Sequence, residues 1–556
     1  MTMTLPSLTT RRFKASLFFV LITVLTACGG GGGSNGGRLN AIETSQRPFI
    51  STWKSDNEGA TTDNQLLIST EGPGYNYSID WGDGSQESNI TGGVTHTYAS
   101  AGTYTVTIWG DFPHIVSCRE DNKLLSVEQW GDIQWKSMEN AFRDCTNAVI
   151  NADDSPNLSQ VTDISFMFYN ARAFNQDIST WDVSAVRNME GMFYYADVFN
   201  QDLSSWDVSA VTNMADMFHS AIAFNRDISA WDVSAVSTME GMFYYADVFN
   251  QDLSGWDVSA VTNMRHMFYS AIAFNRDISA WDVSSVTTME GMFYYADVFN
   301  QDLSGWNVSV VTNMEHMFHS AIAFNGDMSN WDVSSVTTME GMFYYADVFN
   351  QDLSSWDVSA VTNTRHMFYS AIAFNRDLSA WDVSAVSTME GMFYYADVFD
   401  QNISDWNVSA VTNMGRMFYA AVAFNQDIST WNVSAVSTME GMFYYAEAFN
   451  QGLSAWNVSG VNDMGHMFAY AIAFNQDISA WDISAVSDMS MMFLSATLST
   501  SNYDALLTGW SAQSVQSNVN FDGGNSMYSS ASPSARDTLA GAFSWTITDG
   551  GVAPEL

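Results

Sequence analysis

Basic residues are scarce in this 556-residue chain. Nineteen Lys and Arg stand against 61 Asp and Glu, a formal net charge of −42. That excludes nucleic acid as a partner, because phosphate binding needs clustered cations. Cysteine is scarcer still. Three cysteines exclude a disulfide-built scaffold and any multi-cysteine zinc or iron–sulfur centre. Charged residues of both signs make up only 14% of the chain while apolar residues reach 47%, so a large core can be buried and wholesale disorder is excluded. Catalytic signatures are missing as well. No GxSxG, P-loop, GxGxxG or HExxH stands in a suitable context, and the expectation is a protein that is not an enzyme. The length leaves room for several domains.

The N-terminus carries an address. Arg11, Arg12 and Lys14 precede an apolar run from Ala15 to Leu25, the n-region and h-region of a signal peptide and too short to span a bilayer as a mature helix. The run closes on Leu25-Thr26-Ala27-Cys28, which resembles the lipobox of bacterial lipoproteins. The resemblance implies cleavage before Cys28 and a diacylglycerol thioether on its sulfur. Residues 1–27 are then the signal peptide, and residues 28–48 the lipidated cysteine and a glycine-rich tether. The membrane becomes a partner through the lipid anchor. The expected location is the cell envelope, anchored at the outer membrane or cell surface and exposed to the exterior. Gly29, where an Asp would be an inner-membrane retention signal, points to the outer membrane in a cell that has two.

Residues 49–115 are predicted to be all-β. Tyr75 to Asp80 alternates in polarity, and Tyr104-Thr105-Val106-Thr107-Ile108-Trp109 is rich in β-formers. Between them lie the tight turn Trp81-Gly82-Asp83-Gly84-Ser85 and then His96-Thr97-Tyr98. This succession resembles a PKD-type β-sandwich, which implies a spacer or adhesive module of an extracellular protein. Asp83 is expected to cap its own turn rather than to join Asp80 in a cation site.

A 25-residue repeat dominates the rest. Trp181, Trp206, Trp231 and their successors recur without a slip to Trp481, as do Phe174 to Phe474 and the Met-Phe pairs from Met167-Phe168 to Met492-Phe493. A fixed period of this size predicts a solenoid, in which each unit buries its apolar face by stacking on its neighbours. Trp206 and Val208, two apart, predict a short strand with both side chains on one face. Ser237 and Glu240 have capping-box spacing, and Met239, Met242, Phe243 and Ala246 form one stripe of a helix. Each coil is thus expected to hold one short parallel strand and one short helix. The shared pattern W-[DN]-V-S-x-V-[ST]-x-M-x-x-M-F-x-x-A-x-x-F-N resembles the BspA-type leucine-rich repeat surface proteins, with Trp and Met where ordinary leucine-rich repeats carry Leu. The resemblance implies surface display and binding to matrix proteins or other cells. The predicted fold class is therefore α/β: a leucine-rich-repeat-like solenoid over residues 166–498, preceded by the small PKD-like sandwich. Residues 116–165 are read as an N-terminal cap of degenerate repeats and 499–556 as the C-terminal cap. A second period of 50 residues, from Gly191 to Gly441, marks a duplicated pair of coils. Cys118 and Cys145 flank the first coil and form either a disulfide or two buried thiols.

Candidate binding residues come from the strand position that faces outward: Asp182, Asp207, Asp232, Asp257, Asp282, Asp332, Asp357, Asp382 and Asp482. Stacked carboxylates repel one another, which leaves open a bound Ca²⁺, a basic partner surface, or a solvated face with ordinary counterions. No other metal or cofactor is expected. The Asn file (Asn175, Asn200, Asn225 and onward) is expected to satisfy turn backbone groups. Paired tyrosines such as Tyr244-Tyr245 should bring one ring of each pair to the surface, for sugar or protein contacts or for packing between helices. His316 and His319, i and i+3, are a weak metal signal. The leading expectation is a lipid-anchored surface adhesin with a protein or glycan ligand on a host or neighbouring cell. The alternatives are a structural or Ca²⁺-binding envelope component and a carbohydrate-binding accessory protein.

Overall fold

The computed structural model describes residues 46–118 and 122–554. The expected signal peptide, Cys28 and most of the tether lie outside the described residues. No helix among the described residues is long and apolar enough to cross a membrane.

Six strands form first: β1 (Phe49–Lys54), β2 (Gln65–Ile68), β3 (Asn76–Asp80), β4 (Gln86–Ile90), β5 (Val94–Thr97) and β6 (Thr103–Asp111). The main sheet has the order β4-β3-β6-β1, and β2 pairs with β5 in a second, two-stranded sheet. Alternation places Phe49, Trp53, Tyr77, Ile79, Val106 and Ile108 inside. The β3–β4 turn needs its glycine: Gly82 has φ +78°, and a Cβ there would strike the Thr105 carbonyl. Asp83 caps this turn as expected, accepting from the Ser85 amide at 2.9 Å. Two further strands, β7 (Leu124–Gln129) and β8 (Val149–Ile150), extend the same sheet beyond β1. Strand β7 lies in the degenerate first coil and β8 pairs parallel to it one coil further on, so the β-region passes into the repeats without a linker. Cys118 and Cys145 are joined in a disulfide beside this junction.

The repeats are built of turns, and here the structure departs from expectation. The Met239-to-Ala246 stripe is fully buried, yet it is not helical. Gly241 and Tyr245 have left-handed φ of 58° and 53°, which an α-helix does not admit. The backbone amides alternate in their partners. Met239, Gly241, Phe243 and Tyr245 donate to carbonyls of the next coil at 2.8–3.0 Å, while Met242, Tyr244 and Ala246 donate three residues back within their own coil at 3.0–3.2 Å. In a helix the amides beyond the first turn bond within the element; here four of these seven go to the neighbouring coil. Three-residue turns rotate the chain about as fast as a helix does, so the i, i+3, i+4, i+7 burial pattern survives without the helix.

The strand expected at Trp206 and Val208 is likewise a pair of turns, with Trp206 N–H donating to Leu203 and Val211 N–H to Val208. Both side chains are still buried. Extended pairing is confined to one residue per coil, a ladder of parallel bridges that runs Asp163, Asn188, Asn213, Thr238 and onward to Asp488. Between coils the core is aromatic. Trp231 to Trp481 stack face to face at 6.2–6.5 Å. Each indole N–H also reaches a carbonyl one coil back, as Trp256 does to Ile228 at 3.1 Å.

The last coil is closed by α1 (Thr500–Ser511), β9 (Asn520–Asp522), α2 (Pro533–Ala542) and β10 (Thr546–Thr548). Strand β9 takes the place of a further coil: Phe521 bridges Met489 and Asp522 accepts from the Phe493 amide at 3.0 Å. Helix α1 buries Tyr503, Leu506, Leu507 and Trp510.

Candidate functional site

Asp182, Asp207, Asp232, Asp257, Asp282, Asp332, Asp357, Asp382 and Asp482 are all exposed and fall at one position in successive coils. They sit on a turn rather than on a strand. Each Oδ1 accepts from the amide of the Ser two residues on, at 3.0–3.1 Å. Asn307, Asn407, Asn432 and Asn457 do the same where they replace Asp. The serine hydroxyl and then the serine amide hold Asp207, Asp257 and Asp282 below the usual carboxylate range. For Asp282 these bonds outweigh the opposing repulsion from Asp257. Among the described residues, no group of three or more His, Cys, Asp or Glu could hold a metal ion.

A second acidic file went unnoticed in the sequence. Asp177, Asp202, Asp227, Asp252 and their successors cap the preceding turn through the amide of Ser179, Ser204, Ser229 and Ser254 at 2.9 Å. The signal was present: D-x-S occurs twice in most coils, once on each side of the Trp. The Asn file behaves as expected. Asn200 N–H donates to Asn175 Oδ1 at 2.9 Å, and Gln201 Nε2 donates to the same residue. Asp400, the single exception in that file, accepts from Asn425 N–H in the same way at 2.9 Å.

The opposite chemistry lies on the turn run. An inner file of rings stacks without a break from Tyr169 to Tyr444, with centroids 3.9–5.0 Å apart. His319 is a member of this file, between Tyr294 and Tyr344. Burial pushes its pKa down to about 3, and it remains neutral at physiological pH. His316 lies edge-on to it at 5.4 Å on a turn, not on a helix.

The outer tyrosine reaches the surface in five of the six pairs: Tyr245, Tyr295, Tyr345 and Tyr395 are 42–43% exposed and Tyr445 37%, while Tyr195 is half-buried. Val248, Ile272, Val298 and Ile322 are exposed to a similar degree. The 50-residue period has a counterpart in the packing at three glycines. Gly291, Gly341 and Gly391 have left-handed φ, and a Cβ on any of them would strike the ring of His266, His316 or His366 of the preceding coil. A glycine coil thus makes room for the bulky residue of its partner coil. Beside these rings Arg265 joins Glu240 and Glu290 at 3.3 and 2.9 Å, and Arg365 joins Glu340 and Glu390 in the same way.

Six overlapping segments of the chain match one family model, described as "Mycoplasma protein of unknown function, DUF285": residues 136–256, 246–354, 301–401, 323–431, 373–464 and 423–533. Residues 55–110 match the PKD domain, in agreement with the six-stranded region and consistent with an extracellular protein. A search of curated proteins returns no match.

Proposed function

Because the chain belongs to the DUF285 family, whose matches together span residues 136–533, we propose that it is a lipid-anchored bacterial surface protein. Its repeats form a solenoid that presents files of identical side chains for adhesion. The BspA-type leucine-rich-repeat likeness remains a resemblance beside that family. The observation that carries the reading is the coil-to-coil hydrogen bonding, repeated at offsets of 24 residues along the turn run and 25 along the bridge ladder, which lines up like residues on an exposed surface. Several weak contacts along such a surface add through effective concentration. The role is binding rather than catalysis.

Three further features support it. The Leu25-to-Cys28 motif fits a lipid anchor. The PKD match fits an exterior location. The Cys118–Cys145 disulfide fits an oxidising compartment. The Asp207 file offers an outward row of charge to a basic partner.

The test uses the substitution already present at Asn307, Asn407, Asn432 and Asn457, which preserves the turn cap and removes the charge. Cells displaying the full chain should adhere to a basic protein surface, and adhesion should fall steeply with added salt. The Asp→Asn variant at the nine positions should lose most of that adhesion while keeping its melting temperature. Adhesion indifferent to both salt and substitution would remove the acidic file from the binding face. Failure of displayed cells to adhere to any protein or cell surface would remove the adhesive reading.

A further inference from the structure

The exposed tyrosines share more than exposure. They occur in every second coil, and coils joined by parallel bridges lie about 4.8 Å apart, so successive rings recur about every 10 Å. Their orientation is also common. In the inner file, Tyr244, Tyr269 and Tyr294 stack with interplanar angles of 5° and 8°, so their ring normals point along the direction of the repeat. Tyr245 is turned 74° from Tyr244, Tyr295 79° from Tyr294, Tyr345 71° from Tyr344 and Tyr395 67° from Tyr394. The outer rings therefore lie with their planes along the repeat direction, open to a chain that runs the same way.

An unused acceptor accompanies each ring. Asp247, Asp297, Asp347 and Asp397, two residues after each tyrosine, are half-buried. Burial raises their pKa values, and among the described residues no side-chain hydrogen bond or ion pair engages these four carboxylates. Carboxylates left in this state are ready acceptors for hydroxyl groups.

We propose that this row binds an extended, neutral β-1,4-linked polysaccharide laid along the repeat direction, one disaccharide to each pair of coils. In such a chain successive sugars are turned over, so the same C–H-rich face recurs once per disaccharide, a span close to the ring spacing. The negative face of a tyrosine ring attracts those C–H groups, and the neighbouring carboxylate accepts from the sugar hydroxyls. The net charge of −42 disfavours a polyanionic glycan or a second copy of the chain on the same row. The inference rests on the surface-display reading above and adds to it a second ligand class, on a row of residues separate from the Asp207 file.

The experiment is depletion of the full chain by cellulose and by chitin, with calorimetric titration of the matching soluble oligosaccharides. One polymer should retain the protein, and affinity should rise as the oligosaccharide lengthens enough to span further rings. The combined variant Tyr245→Ala, Tyr295→Ala, Tyr345→Ala and Tyr395→Ala should bind about tenfold more weakly or worse, as loss of a multivalent row predicts. The corresponding Tyr→Phe variant should still bind. Near-ultraviolet circular dichroism and melting temperature check that both variants fold. Retention by neither polymer, or undiminished retention of the alanine variant, overturns the proposal. So does sedimentation showing a dimer that the alanine variant abolishes, since that would place a second copy on the row. Displayed cells that adhere while the protein ignores both glycans would overturn this assignment and leave the adhesive reading standing.

Discussion

At the scale of single residues, Asp207 and its counterparts do two things with one carboxylate. Oδ1 closes a turn and the charge faces solvent. Replacing Asp257 by Ala should therefore cost about 0.5–1 kcal/mol through the lost amide bond, whereas Asp257→Asn should cost less, because Asn307 and Asn407 accept the same bond from the serine two residues on. Thermal unfolding of the two variants tests this. The pH dependence has a definite sign. Hydrogen bonds from Ser209, Ser259 and Ser284 depress the pKa values of Asp207, Asp257 and Asp282 in the folded chain. Their contribution is complete above the unfolded carboxylate value of about 3.9 and is lost as pH falls through the lower folded value. The difference in melting temperature between the wild type and a combined Asp→Asn variant should thus stay constant near neutrality and shift against the wild type below about pH 4. A difference that ignores pH down to the acid limit would show that the serine bonds do not favour the ionised form. The acidic face was legible because charge recurs at a fixed offset. Its turn-capping role was not, because a strand and a D-x-S turn place Trp206 and Val208 on the same side of the chain.

At the scale of the element, burial was legible and conformation was not. Met239, Met242, Phe243 and Ala246 are as fully buried as a helical stripe requires. What the spacing could not reveal is that Tyr245 and Gly241 take left-handed φ, an uncommon choice for a tyrosine that repays itself through hydrogen bonds to the next coil. The glycine and histidine positions give a sharp test. Gly341→Ala should destabilise by about 1 kcal/mol or more from the left-handed backbone alone, with a further cost because the new methyl meets the His316 ring. Adding His316→Ala should return the second part and not the first, a coupling visible in a double-mutant cycle. Simple additivity would mean that the ring moves aside without cost. The Trp file is equally specific. Trp331→Ala should cost about 3–5 kcal/mol for the cavity, whereas Trp331→Phe keeps much of the stack and loses chiefly the indole bond to Leu303, worth about 1 kcal/mol.

At the scale of the whole molecule, the two periods make different demands on the chain. The 25-residue period was evident from Trp alone, and it locates every coil. The 50-residue period was visible as Gly-Met-Phe-Tyr-Tyr-Ala, but the sequence offered no reason for it until Gly291 was seen against His266 and Gly341 against His316. Stability in such arrays is close to a sum of unit and nearest-neighbour terms, so neighbour identity decides which deletions are tolerated. Removal of residues 291–340 deletes one glycine coil and one histidine coil. It leaves His266 followed by Gly341, the same kind of contact as before, and the shortened protein should unfold cooperatively with only a small loss of melting temperature. Removal of residues 291–315 alone brings His316 into the place of Gly291. A side chain now meets the His266 ring where only a hydrogen stood, and the outer tyrosine of that coil is lost with it. This shorter deletion should be the more damaging of the two, with a lower melting temperature and a split or broadened transition. If the 25-residue deletion is tolerated as well as the 50-residue one, the pairing of coils is a trace of duplication and not a packing requirement.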